Sequence, residues 1–321
     1  MGGPKLRTDI GRGGGGSGRP DTLIRHVFNN IHFFDSLGIK PLKINLNNTM
    51  TAKSAISFAK ITNNQKQTWS KGDFNEIARQ NVVMAEALCA ATDPHPGQNV
   101  LDVACGSGTA ALVAARRYCT VTGIDYVPEL IDRARKRAEA SGLPVDFQVE
   151  DAQKLPFPDN SFDLALSVYG VQFAPDQEKA ASELLRVCKP GGKIGLASPI
   201  PEGWSGDFFS THAKYVPPPP EVNPPLRWGT ENGLNELLGK GAESIQNEKK
   251  KALQYYLSTN HAVEVFSTWF GPTLRAFEKI DDDQKSNLLH DLKMVFDRYN
   301  RATDGTAIIE NTYMQSIIVK Q

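Results

Sequence analysis

The stretch NVLDVACGSGTAALVAA, from Asn99 to Ala115, limits what this chain can fold into more than any other, because an apolar run breaks at closely spaced glycines and resumes as an alanine-rich segment. Val100, Leu101, Val103 and Ala104 read as a strand buried on both faces, as in a parallel sheet covered by helices. Gly106 and Gly108 permit a tight turn and the close approach of a ligand. Ala110, Ala111, Ala114 and Ala115 then give a small-faced helix. Its N-terminus offers free N–H groups and the positive end of a helix dipole to an anionic group, so a nucleotide-type ligand is expected there.

The glycines alone do not say which nucleotide. Gly106, Gly108 and Ala111 satisfy the dinucleotide fingerprint in its Gly/Ala form, and Asp125 lies 19 residues beyond Gly106, where a ribose-binding acid belongs. A nicotinamide-dependent oxidoreductase is therefore one reading. Asp102 argues against it, since a carboxylate just before the first glycine is expected to face a cationic group such as the amine of a methionine moiety.

A chain of 321 residues can bury one large domain, or one domain with a cap. Its 36 basic and 36 acidic residues leave no net charge, which speaks against nucleic acid and anionic membrane partners. Cys89, Cys105, Cys119 and Cys188 are scattered, without zinc spacing or disulfide density, so a reducing, cytoplasmic setting is expected. No cluster of His, Cys, Asp and Glu has metal-ligand spacing. No apolar run approaches the roughly 20 residues that stable membrane insertion needs.

Residues 1–49 differ in texture from the rest. GRGGGGSGRP is flexible by composition, and seven Lys/Arg against three Asp leave open a mitochondrial targeting peptide, an expression tag or translated upstream sequence. Up to Asp93 the pattern is helical, with Ile77, Met84, Leu88 and Ala91 on one face and the aromatic-flanked loop WSKGDF before it. From Gly97 strands and helices alternate: strands over Val121–Asp125, Val145–Val149, Phe162–Val168 and Lys193–Ala197, with helices from Pro128 to Ser141 and from Asp176 to Cys188. This rhythm makes a doubly wound α/β unit. Prolines 217–220 and 224–225 then give a stiff connection. Further on, Val263 to Phe277 reads as one amphipathic helix and Leu288 to Tyr299 as a second, between strand signals near Ala252 and at Tyr313 to Val319. Two helices inserted there form a cap over the open end of the sheet.

Ligands of open parallel sheets bind beyond the carboxyl ends of the strands. Asp102, Gly106, Asp125, Asp151, Ser167 and Tyr169 all fall at such ends. Asp125 is placed to accept both hydroxyls of a ribose, and Asp151, with Ala152 beside it, to accept an adenine amino group. An apolar acceptor cavity under the cap draws on Trp204, Phe208, Tyr215, Trp228, Trp269 and Phe270.

VLDVACGSGTA, GIDYVPELIDRARKRA, EDAQKLPFPDNSFDLALSVYGVQF and ELLRVCKPGGKIGLAS, in that order, resemble class I S-adenosylmethionine-dependent methyltransferases, nearest the ubiquinone and menaquinone biosynthesis branch. The resemblance covers about Trp69 to Ser198. It implies a Rossmann-like seven-stranded sheet with the last strand antiparallel and a helical cap inserted late. It further implies S-adenosylmethionine as cofactor, with Asp102 at its amine and Ala104, Gly106 and Gly108 against its methionine part. Asp125 would hold the ribose, Tyr126 would lie on the adenine with Asp151 and Ala152 at its edge, and Ser167 and Tyr169 would border the methyl group. Trp69 would close over the site, and Gln172 and Phe173 would face the acceptor.

On this view residues 1–49 are a leader, 50–96 are helices closing the cofactor site, 97–200 are the cofactor-binding core, and 201–321 are the acceptor-side cap with the final strands. The expected reaction is in-line methyl transfer to a small aromatic or prenylated acceptor, driven mainly by positioning, with a homodimer allowed. A base is needed only if the acceptor must lose a proton, and Tyr169, His212 and His261 are the candidates. A cofactor-binding subunit without catalysis is the other alternative to an enzyme.

Overall fold

The computed structural model describes residues 46–321, with side chains from Phe58 onward. The leader expected over residues 1–49 lies, apart from its last four residues, outside them. Five parallel strands, β1 (Asn99–Val103), β2 (Thr120–Asp125), β3 (Val145–Val149), β4 (Phe162–Val168) and β5 (Cys188–Pro199), are joined at one edge by β6 (Ala242–Tyr256) and β7 (Ala307–Lys320). The strand order is β3-β2-β1-β4-β5-β7-β6, and β7 runs antiparallel to both of its neighbours. This is the doubly wound, seven-stranded sheet expected, with its last strand reversed.

Alternation along each strand divides the core between the two faces of the sheet. Val100 of β1 and Leu164 and Leu166 of β4 pack with α3 (Val82–Thr92), α4 (Thr109–Ala115) and α5 (Pro128–Ala140). Leu101, Val103 and Ala165 pack on the opposite face with α6 (Gln177–Val187) and α8 (Glu231–Leu238). The buried face of α3 is Met84, Ala85, Leu88 and Cys89, and Ala91 is exposed rather than part of that face.

A third core builds the cap from α7 (Gly203–Tyr215), α9 (Thr259–Trp269), α10 (Gly271–Phe277) and α11 (Asp282–Tyr299). The single helix expected over Val263–Phe277 is broken. Phe270 is extended, Pro272 cannot donate a helical N–H, and the Gly271 backbone lies against that of Thr68 at the end of α1 (Leu46–Trp69). Helix α7 has no counterpart among the expected elements, although Trp204, Phe208 and Thr211 mark its buried face at helical spacing. Both late strands are longer than their sequence signals.

The loop between β3 and β4 borders the carboxyl edge and is held from α6. Glu183 accepts the Leu155 N–H at 2.8 Å and the Arg186 guanidinium at 2.8 Å, while Arg186 donates to the carbonyls of Leu155 (3.0 Å) and Phe157 (2.7 Å). The Arg186 hydrogen bonds hold the Glu183 carboxyl down at about 2. Replacing Glu183 by Ala is expected to cost about 2–3 kcal/mol near neutral pH, since Arg186 and the Leu155 N–H lose their shared partner. A carboxyl held below its ordinary 4.5 stabilises the fold above that pH, so the deficit seen by urea unfolding should shrink as pH falls from 4.5 towards 2.

Candidate functional site

The glycine turn between β1 and α4 is built by two carboxylates. Asp102, 1% exposed, accepts the Ala111 N–H at 2.8 Å and so caps α4, whose own N-cap residue, Gly108, has no side chain to do it. Asp125, 5% exposed, accepts the N–H groups of Gly106 at 3.0 Å and Val127 at 2.9 Å, fastening the turn to the end of β2. Burial pushes the Asp102 carboxyl up to about 7 and that of Asp125 up to about 6. Gly108 sits at φ +80° with the Phe147 ring 2.6 Å from where a Cβ would stand, so no other residue fits without displacing that ring.

On the other side, Ser167 donates to the Val103 carbonyl (2.7 Å) and accepts the Val171 N–H (2.9 Å). It thereby ties the ends of β1 and β4 together. Just beyond those ends Ala104 and Tyr169 take left-handed conformations, with φ +53° and +51°. Between the two strand ends opens a cleft of about 620 Å³, part of it continuous with solvent.

Trp69, Ala104, Gly106, Asp125, Tyr126, Asp151 and Ala152 all line this cleft, as does Tyr169. Asp102, Gly108 and Ser167 do not: they lie behind the wall and shape it. The Asp102 and Ser167 side chains turn to backbone groups that need partners, and Gly108 is packed against the Phe147 ring. Leu130, Glu150, Gln153, Gly170, Val171, Phe173, Ala174 and Pro175 also line the cleft. Of these only Phe173 was singled out from sequence, whereas Gln172, expected to face the acceptor, is buried and lines neither this cleft nor the cavity beside it. Asp151 is oriented by Gln153, whose Nε2 donates to it and to Thr62 of α1, and whose Oε1 accepts the Asp176 N–H.

A second cavity, of about 430 Å³ with the space open to solvent included, adjoins the first. Trp69, Phe74, Tyr169 and Phe173 belong to both. Trp69 packs edge-on to Phe74 and Phe270 with ring centroids 5.4 and 5.7 Å away. Beyond them the second cavity is walled by Trp204, Phe208 and Phe270, as expected, but not by Tyr215, Trp228 or Trp269. Tyr215 is tied to Asp291, Trp228 is buried in the core under α6 and α8, and Trp269 is exposed.

Neither histidine lines either cavity. His212 packs against Phe208 and bonds through its two nitrogens to the Phe208 carbonyl and Thr273 Oγ1, and burial lowers it to about 4. Both its nitrogens are thus engaged within the cap, away from the two cavities. His261 accepts the Leu257 N–H and lies beside Tyr256 at the foot of α9. Tyr169 alone of the three stands at the junction of the cavities. Its hydroxyl lies 3.4 Å from Ser205 Oγ and donates to Asn311 Oδ1 at 3.3 Å, and burial pushes it up to about 12. Among the described residues no group of three or more His, Cys, Asp or Glu is placed to hold a metal ion, and no helix is long and apolar enough to cross a membrane.

The sequence matches the methyltransferase domain family over residues 101–196. An uncharacterized protein of Mycobacterium tuberculosis is 38% identical over 218 residues, which are 67% of this chain and 80% of that protein. A demethylmenaquinone methyltransferase of Thermus thermophilus is 38% identical over 125 residues, 38% of this chain and 57% of the other. In fold, the chain is similar to the crystal structure of the YcgJ protein from Bacillus subtilis, with a TM-score of 0.52 at 21% identity, over 74% of this chain and 98% of that one.

Because burial raises Asp102 from 3.8 to about 7, the stability of the ligand-free protein that rests on this group is complete below 3.8 and is lost as pH rises through 7. Asp102→Asn keeps an acceptor for Ala111 and removes the buried charge. It is expected to be more stable than the parent at pH 8, by on the order of 2–4 kcal/mol, with the advantage vanishing towards pH 4. Urea midpoints of the two proteins across that range provide the measurement.

Proposed function

The chain belongs to the class I S-adenosylmethionine-dependent methyltransferases, and from that premise we propose that it methylates a small aromatic or prenylated molecule seated in the second cavity. The observation that carries this reading is the shared wall: a cleft tipped with carboxylates and an aromatic cavity meet at Trp69, Phe74, Tyr169 and Phe173. The relatives named demethylmenaquinone methyltransferase favour such an acceptor. The nicotinamide-dependent and non-catalytic readings draw no support from the family match.

The residues of the cleft fit S-adenosylmethionine. Asp125 has two buried oxygens whose remaining lone pairs suit the two ribose hydroxyls, Tyr126 offers a ring to the adenine, and Asp151 with Ala152 offers it an edge. Gly106 presents bare backbone towards the methionine part. In this arrangement Asp102, Gly108 and Ser167 position the turn rather than touch the cofactor. When bound, the cofactor supplies a methyl group on a sulfonium, already activated for displacement.

What remains for the protein is placement and the exclusion of water. Trp69 and Phe74, from the N-terminal helical segment, close the cleft, while the cap helices supply the acceptor side. Tyr169, protonated at neutral pH and engaged by Ser205 and Asn311, does not remove the acceptor's proton; its ring forms part of the wall between cofactor and acceptor.

Calorimetry tests the reading. S-adenosylmethionine is expected to bind in the micromolar range and more tightly than NAD, and Asp125→Ala to weaken it about 10–100-fold, as loss of a charged hydrogen bond implies. Because Asp125 is raised to about 6, affinity should also fall as pH drops below that value, a dependence that Asp125→Asn abolishes. Absence of binding, or preference for NAD, rejects the assignment.

A further inference from the structure

The second cavity contains two polar side chains that neither the fold nor the chemistry above uses. Gln254, near the end of β6, is 4% exposed, and its Oε1 has no hydrogen-bond partner among the described residues. Asn81, 7% exposed, lines the same cavity from the short turn before α3. Their neighbours in sequence hold them together: the side-chain amide of Gln80 accepts the Tyr255 N–H at 2.6 Å and donates to the Tyr255 carbonyl at 3.1 Å. Asn81 and Gln254 are thereby brought to one cavity from elements more than 170 residues apart.

The rest of the lining is aromatic or aliphatic, and none of it is charged. Trp204, which stacks on Phe208, carries a second buried polar atom without a partner, its Nε1. Tyr169, the remaining polar group, is already engaged by Ser205 and Asn311. Buried polar groups are ordinarily paired, and an unpaired amide in an otherwise apolar cavity is costly unless a ligand completes it. A carboxamide presents both an acceptor and a donor, so it suits a group that can donate and accept, such as a hydroxyl. It cannot neutralise a charge, and an ion brought into this cavity loses its hydration with nothing of opposite sign to replace it.

We propose that Gln254, with Asn81 beside it, is the specificity determinant of the acceptor cavity, selecting an uncharged, planar aromatic molecule by a hydroxyl group and rejecting its charged counterparts. This rests on the reading of the second cavity as the acceptor site. Selection is thus made by two carboxamides in an aromatic box, on residues that do not line the cofactor cleft.

Calorimetric titration of the full-length protein tests it, with 2-naphthol as the neutral probe, 2-naphthoate as the anion and 2-naphthylmethylammonium as the cation, each with and without saturating S-adenosylhomocysteine. The expected result is binding of 2-naphthol at least tenfold tighter than either ion. Gln254→Met and Asn81→Ala should each weaken 2-naphthol about five- to tenfold, the range of a single neutral hydrogen bond, while S-adenosylhomocysteine binds both variants as it binds the parent. The second variant guards against misfolding of the first. No detectable 2-naphthol binding, an ion bound as tightly, or unchanged 2-naphthol affinity in both variants overturns the proposal. Failure of S-adenosylhomocysteine to bind the parent instead strikes the methyltransferase reading, and the titrations without it still decide the role of Gln254.

Discussion

Two carboxylates withdrawn from water hold the working edge of this sheet in shape. Asp102 and Asp125 end neighbouring parallel strands, and between them they take the N–H groups of Ala111, Gly106 and Val127. A glycine turn has no side chains with which to satisfy its own amides, and Gly108 gives α4 no cap. The strands therefore supply from below what the turn lacks. The arrangement carries an electrostatic penalty, visible in the raised titration of both acids, and the penalty is the counterpart of a backbone already in place before any ligand arrives.

The same economy governs the opposite rim, where one hydroxyl, that of Ser167, fixes two strand ends and leaves Ala104 and Tyr169 in left-handed conformations facing the cleft. Closure comes from a distant part of the chain. The segment from Trp69 to Phe74 is pinned on one side by the ion pair of Asp73 with Arg133 of α5 and on the other by the Asp73 N–H on the Trp269 carbonyl of the cap. Core, cap and N-terminal helices thus meet at a handful of aromatic rings.

Much of this was legible in the sequence, for identifiable reasons. Strands buried on both faces read as apolar runs, and their ends put Asp125, Asp151 and Tyr169 at the carboxyl edge where the cleft opens. What periodicity does not carry is direction. Asp102, Gly108 and Ser167 occupy the expected positions, yet each answers to backbone or ring atoms of the scaffold rather than to the cavity. Strand β6 gives only a short sequence signal because its exposed positions carry Glu243, Glu248, Lys249 and Lys251, a polar texture that suits a sheet edge and masks the alternation. Hydrophobic spacing continues across the break at Phe270 and masks it, although Pro272 stands there and Gly271 approaches Thr68 too closely for the helix to carry a side chain at that point. Gln254 carried no signal, being one amide whose meaning depends on its company.

The division of the aromatic wall has a consequence for how the two chambers can be altered. Trp69, Phe74, Tyr169 and Phe173 serve both chambers, so any exchange among them alters two recognition problems at once. Ile77, Asn81, Gln254 and Phe266 border the second chamber alone. Under the proposed assignment, a substitution on that far wall changes the acceptor chamber alone and leaves the cofactor cleft intact.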